Sequence, residues 1–159
     1  MEINLKELSN FLIKAKAETY ARSGKEIISQ REGFKEMDFS DGDWYYRDSY
    51  SGYFMAPGQE VVRFKGQPIW AMAYSGGMLP EYHRNKDFAK QTFSFLKKAL
   101  LKVELSRPFR GPERLEEGDW EYRDSSEGDI RDFKGTEIIF FRGKEVFRQN
   151  YIGGLIIPK

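Results

Sequence analysis

Two carboxylates, each at the end of an aromatic stripe, are the side chains in this sequence best placed to do chemistry. Trp44-x-Tyr46-x-Asp48 and Trp120-x-Tyr122-x-Asp124 each set two rings and an acid at alternate positions. Alternate residues of an extended strand share a face, so each motif would form an aromatic surface closed by a carboxylate. Such a surface holds a small molecule by apolar contact and fixes its orientation through the acid. The plainer expectation is that the rings are core and that Asp48 and Asp124 accept backbone hydrogen bonds at a turn. A second pair, Glu60 and Glu137, shares strand faces with Val62 and Phe64 and with Ile139 and Phe141. At the rim of an apolar face a carboxyl pKa rises, which suits a general acid or base, and two such groups brought together share a proton. Glu60 and Glu137 are therefore the catalytic candidates for a metal-independent hydrolase or isomerase. The simpler alternative pairs each with a neighbouring arginine, such as Arg47 or Arg123, or leaves it in solvent at a strand end.

A cation completes the set. Arg107-Pro108-Phe109-Arg110-Gly111-Pro112 holds arginine between prolines, a pre-organised fork for carboxylate or phosphate. Arg110 is the expected anion anchor, or else a surface arginine on a rigid turn. Trp70 and Tyr74 in the first half and Tyr151 in the second extend the aromatic surface. The candidate binding residues are thus Tyr46, Asp48, Trp70, Tyr74, Arg110, Trp120, Tyr122, Asp124 and Tyr151.

These residues recur because the sequence recurs. Gly42-Asp43-Trp44-Tyr45-Tyr46-Arg47-Asp48-Ser49 reappears as Gly118-Asp119-Trp120-Glu121-Tyr122-Arg123-Asp124-Ser125. After one extra residue, Gly58, Glu60, Phe64, Gly66 and Tyr74 match Gly135, Glu137, Phe141, Gly143 and Tyr151. A helix heads each copy. Leu5, Leu8, Leu12 and Ala15 mark one over residues 4–21, capped by Asn4 and stopped at Ser23-Gly24. Phe88, Thr92, Phe95, Leu96, Ala99 and Val103 mark the other over 86–103, capped by Asn85. Strands follow each helix, joined by tight hairpins at Lys65-Gly66 and Arg142-Gly143, and the third strand of each copy ends at a bulge or sharp bend at Gly76-Gly77 and Gly153-Gly154. The expected fold is α+β: two helix-plus-antiparallel-meander repeats, about 4–77 and 86–157, in one pseudo-symmetric domain over 1–159. Its two helices pack on a curved, largely antiparallel sheet.

Composition narrows the function. The 26 Lys and Arg balance 25 Asp and Glu for a net charge of +1, so nucleic acid is an unlikely partner. With no cysteine and a single histidine, His83, a zinc site or a histidine-dependent triad has little to draw on, and neither metal nor cofactor is expected. The Gly-Asp turns lack the ligand spacing of a calcium loop, and the Gly-Gly pairs lack the lysine of a phosphate loop. No apolar run approaches a membrane span and the first residues do not read as a signal peptide, so a cytoplasmic protein away from membranes is expected.

Residues spread over most of the chain resemble a family of uncharacterised bacterial and archaeal domains. They are Phe11-Leu12-x-x-Ala15-x-x-x-Thr19-Tyr20-Ala21, Gly42-Asp43-x-x-Tyr46-x-Asp48-x-Tyr50-x-Gly52, Gly58-Gln59-Glu60-x-Val62, Gly66-x-Pro68-x-Trp70-x-Met72-x-Tyr74-x-Gly76 and Arg110-Gly111-Pro112. The family occurs alone or C-terminal to a repressor-type helix-turn-helix, which implies a ligand-sensing or interaction role; this chain would be the stand-alone form. The sequence points to a non-enzymatic module that binds a small molecule or peptide, with a homodimer or a structural role as further expectations.

Overall fold

A computed structural model describes residues 3–21 and 26–159. The Ser23-Gly24 stop lies outside those residues. Helix α1, Leu5–Lys16, starts where Asn4 accepts hydrogen bonds from the backbone N–H groups of Lys6 and Glu7. Its buried stripe is Leu8, Phe11, Leu12 and Ala15. A π-helical turn, Ala17–Ala21, then carries the chain on, and Thr19 braces it by donating to the Ala15 carbonyl at 2.8 Å. Single π turns are rare and concentrate at functional sites. Helix α2, Lys86–Leu100, is capped by Asn85 and ends three residues before the expected Val103.

Eight strands follow in two groups of four. They are β1 (Lys35–Asp41), β2 (Trp44–Tyr50), β3 (Gly58–Phe64), β4 (Gln67–Met78), β5 (Arg114–Glu117), β6 (Trp120–Asp129), β7 (Asp132–Phe141) and β8 (Lys144–Leu155). All neighbours pair antiparallel in the order β1-β2-β3-β4-β8-β7-β6-β5, so β1 and β5 are the edges of an open sheet. Both central hairpins turn through positive φ at two successive residues, Lys65-Gly66 and Arg142-Gly143, the geometry that matches the strand twist.

The Gly-Gly pairs do not end strands, contrary to the sequence expectation. β4 runs through Gly76 and Gly77 to Met78, and β8 through Gly153 and Gly154 to Leu155. A Cβ on Gly76 would meet the Arg148 carbonyl and one on Gly77 the Phe54 carbonyl, so these glycines admit a close backbone rather than break the strand.

Both helices lie on the sheet face that carries the repeated tryptophans. Phe11 of α1 stacks on Trp44 at 5.3 Å; Phe88 and Phe95 of α2 pack on Trp120 at 5.7 and 5.6 Å. Each tryptophan meets the phenylalanine opposite it at 4.6 Å, Trp44 with Phe64 and Trp120 with Phe141. Trp70 is fully buried against Phe133, and its Nε1 donates to the Ile130 carbonyl. Side chains of the two halves therefore share one apolar cluster.

Candidate functional site

Strand register brings four acids onto the covered face. Asp48 stands opposite Glu60 across β2–β3, and Asp124 opposite Glu137 across β6–β7. Like charges in register repel, and burying them is costly unless they are paired. All four are at most 5% exposed. Their partners descend from other elements. Lys16, four residues on from Leu12, falls on the buried stripe of α1 and meets Glu60 at 2.5 Å. Arg110, from the proline-bounded segment ahead of β5, donates to Glu137 Oε1 from Nε at 2.9 Å and from Nη2 at 2.7 Å. Its Nη1 is 3.6 Å from Glu60 Oε1, beyond hydrogen-bond reach. Tyr122 and Gln149 also donate to Glu137, both at 2.8 Å.

The two aspartates are reached by tyrosines that cross a strand. Tyr74 on β4 spans β3 to donate to Asp48 at 2.7 Å, and Tyr151 on β8 spans β7 to donate to Asp124 at 2.9 Å. The crossing passes over Gly58 in one case and Gly135 in the other, where a Cβ would come within 2.4 Å of the tyrosine Cζ and hydroxyl oxygen. The remaining partners differ. Asp48 takes a second hydroxyl, Tyr20 at 3.0 Å, whereas Asp124 takes the guanidinium of Arg107 at 2.5 Å. The expected backbone hydrogen bonds to these aspartates are replaced by side-chain donors, because the glycines let the tyrosines through.

Electrostatics follow from burial. Asp48 is pushed up to about 6 by loss of water and by the Glu60 charge, against the pull of Tyr74, Tyr20 and Arg110. Asp124 is pushed up to about 7 by burial and Glu137, against Tyr151, Arg107 and Arg110. Burial lowers the Lys16 pKa, with Glu60 opposing. Burial also works against the Arg110 charge, yet Glu137 holds its pKa well above the ordinary value. Burial and the neighbouring carboxylates raise Tyr20, Tyr74, Tyr122 and Tyr151, which stay protonated and serve as donors.

A cavity of about 460 Å³ opens between the π turn, α2 and the sheet. Phe93, Leu96 and Leu100 of α2 and Phe147 of β8 form its apolar side. Tyr20, Asp48, Tyr74, Arg110 and Gln149 form its polar floor. The Arg110 guanidinium lies over the Tyr74 ring at 5.4 Å, a cation–π contact within the floor. The Gln149 NH2 faces the Glu137 carboxylate, so the amide oxygen is left for another donor.

Of the nine candidate binding residues, Asp48, Tyr74 and Arg110 line this cavity. Tyr46, Trp70 and Tyr122 are fully buried in packing, Trp120 lies under α2, and Asp124 and Tyr151 bond each other away from the cavity. Glu60 and Glu137 sit beneath the floor with no exposed surface, bridged through Arg110 rather than sharing a proton. Their cations are Lys16 and Arg110, not the expected arginines, since Arg47 and Arg123 project from the other strand face. Arg47 there lies 3.5 Å from Glu36, and Arg123 bonds Glu121. Nor is Arg110 the surface arginine of a rigid turn; it is 3% exposed. His83 accepts no catalytic role from its surroundings: its ring bonds the Met78 carbonyl and stacks on Phe54. Among the described residues no three His, Cys, Asp or Glu side chains converge as metal ligands, and no helix is long and apolar enough to cross a membrane.

The sequence does not point to Lys16, Phe93 or Leu100 as site residues, and Tyr20 enters only through the family pattern; Gln149 stands out only by its contrast with Met72 at the aligned position. Lys16 did carry a signal of burial, since it stands one helical step beyond Leu12 on the apolar stripe.

An eight-stranded antiparallel sheet with two helices on one face, and a cavity over buried ion pairs, defines an α+β protein. Its sequence from residue 48 to 156 matches the model of a domain of unknown function, DUF5680, and the chain belongs to that family. The matched span holds Asp48, Tyr74, Arg110 and Gln149 but not Lys16 or Tyr20. No curated protein and no solved structure matches the chain.

Proposed function

We propose that this protein binds a small molecule in the cavity between the π turn, α2 and the sheet, as a non-enzymatic sensing module. One observation carries the reading: a space of about 460 Å³ with an apolar side and a few convergent polar groups on its floor. Ligand sites of drug-sized molecules have that volume and that division of polarity. The floor is pre-organised, because every group on it is already tied to a buried neighbour, so little ordering is lost on binding. The resemblance to domains placed behind repressor-type helix-turn-helix units fits a sensor.

Carboxylate catalysis is the weaker reading. Glu60 and Glu137 would have to reach a substrate, and both lie under the floor with their charges committed to Lys16 and Arg110. A general acid must come within about 3 Å of the proton it transfers.

We further propose that residues 4–77 and 86–157 are duplicated units forming one pseudo-symmetric, cooperative domain, whose two aspartate sites have diverged. The matched registers, Asp48 with Glu60 and Asp124 with Glu137, support this, as does the meeting of Tyr74 with Tyr151 at the β4–β8 seam. In the second half Arg107 occupies the place beside the aspartate; in the first half that side opens to the cavity.

A thermal-shift screen of metabolites tests the binding reading. A ligand at about 100 times its Kd adds roughly 2.7 kcal/mol, or about 5–10 °C for a chain of this size. Leu96→Trp, which fills the cavity from α2, should erase the shifts. Shifts of equal size in that variant, or none in the wild type, would refute it.

A further inference from the structure

We infer that the cavity takes a small organic cation, an ammonium or guanidinium whose charge sits against Asp48 while its apolar body lies along α2. This rests on the ligand-binding reading above. Charge counting is the first argument. The buried ionised groups at and beneath the floor are Asp48, Glu60 and Glu137 against Lys16 and Arg110, which leaves one negative charge without a buried partner; the other charged lining residues, Glu26, Lys35 and Lys97, are solvent-exposed, and Glu26 pairs with Lys35 at 3.1 Å. Glu60 has Lys16 and Glu137 has Arg110; Asp48 has only the neutral hydroxyls of Tyr20 and Tyr74. A buried carboxylate so placed is the group a cation would satisfy.

The second argument is internal to the molecule. Asp124 occupies the matching position in the other half, with the same strand-crossing tyrosine, and there a guanidinium completes it: Arg107 Nη2 at 2.5 Å from Oδ2. The position aligned with Arg107 in the first half is Arg31, whose side chain turns to the Phe34 ring and to Ser49 instead. The first half therefore keeps the carboxylate and lacks its cation, and a cavity stands beside it.

The walls agree. Tyr20, Tyr50, Tyr53, Tyr74, Phe93 and Phe147 all line the space, and ring faces attract a cation. Arg110 does not forbid one. Two of its nitrogens are bound to Glu137 and its Cζ lies 5.4 Å from the centre of the Tyr74 ring, so its charge is directed beneath the floor. Its Nη1 remains for a hydroxyl or carbonyl of the same ligand.

Binding should then depend on pH. The charged and titratable groups around Asp48 are Lys16 of α1, Tyr20 of the π turn, Tyr46 and Tyr50 of β2, Glu60 of β3, Tyr74 of β4 and Arg110 of the segment before β5, with Glu26, Lys35 and Lys97 on the walls of the same cavity. A cation needs the ionised carboxylate, so affinity rises as pH climbs through about 6 and levels off above 7.

Calorimetric titration with three probes of like shape decides the matter: phenethylamine, 2-phenylethanol and 3-phenylpropanoate, each at pH 5 and pH 7.5. The amine should bind at least tenfold tighter than the alcohol at pH 7.5, lose most of that margin at pH 5, and lose it at both in Asp48→Asn. The carboxylate should bind least. Equal or tighter binding of the alcohol or the carboxylate overturns the cation while leaving the cavity reading intact. No binding of any probe to the wild type, together with no thermal shift from the metabolite screen, overturns both. If Asp48→Asn fails to fold, the ranking of the three probes and the pH dependence on the wild type still decide.

Discussion

Asp48 and Asp124 are the residues on which the electrostatics turn. Their folded pKa values, about 6 and about 7, lie above the roughly 3.9 of an unfolded aspartate. A carboxyl whose pKa is raised by folding favours the folded state when protonated. Its contribution is complete below pH 4 and is lost as pH rises through 6 and 7. Stability should therefore fall between pH 4.5 and 7.5, by a few kcal/mol for the pair, when followed by urea midpoints. Asp48→Asn should flatten that slope only below about pH 6, whereas Asp124→Asn should flatten it over the whole range. The carboxylates with lowered pKa, Glu121, Asp129 and Glu145, act in the opposite sense, but they lie at the surface and count for little there. Lys16 gives a second test. Lys16→Met strands the Glu60 charge and should cost about 3–5 kcal/mol, while Lys16→Met with Glu60→Gln should cost clearly less. Additive losses in that cycle would mean the pair is not coupled.

The crossing tyrosines belong to the scale of the strand. Each needs a bare backbone on the strand it crosses, so Gly58→Ala and Gly135→Ala should each destabilise by about 1–3 kcal/mol through overpacking. Gly58→Ala made in a Tyr74→Ala background should cost much less, as read by denaturant unfolding; an undiminished cost would place the clash elsewhere.

The same scale explains what could be read from the chain. Helix positions, caps and hairpin turns were legible because they depend on local rules: Leu8 and Leu12 on one stripe, Asn4 and Asn85 as acceptors, positive φ at Gly66. The alternation of Trp44, Tyr46 and Asp48 placed them correctly on one face. The Gly-Gly pairs misled because a strand break and a close backbone approach use the same residue for different reasons. Lys16 escaped notice because a lysine at the end of a helix ordinarily faces water, and only the pairing of Glu60 over α1 shows that it does not. The tryptophans drew attention as binding surface, yet a ring that large packs best where no solvent remains, and Trp70 is wholly enclosed. Gln149 differs from Met72 at the aligned position, a contrast that speaks for divergence of the two copies but not for a cavity, which Gln149 lines.

At the level of the whole molecule the halves lean on each other across β4 and β8. Trp70 packs on Phe133 and bonds Ile130, so one half alone would expose much of the shared cluster. A fragment of residues 84–159 should lack a cooperative unfolding transition, and mixing it with residues 1–83 should restore one, as followed by circular dichroism. Independent folding of that fragment would contradict a shared core. The cavity belongs to this scale too, since its walls come from the π turn, α2, both halves of the sheet and the segment bearing Arg110. The most direct test of its role is a two-dimensional NMR titration of isotopically labelled protein with a mixture of small fragments. Binding in the cavity predicts shifts at the Gln149 side-chain amide, the Arg110 Nε–H and the backbone amides of residues 93–100. Shifts confined to the opposite face of the sheet, or none at all, would contradict it.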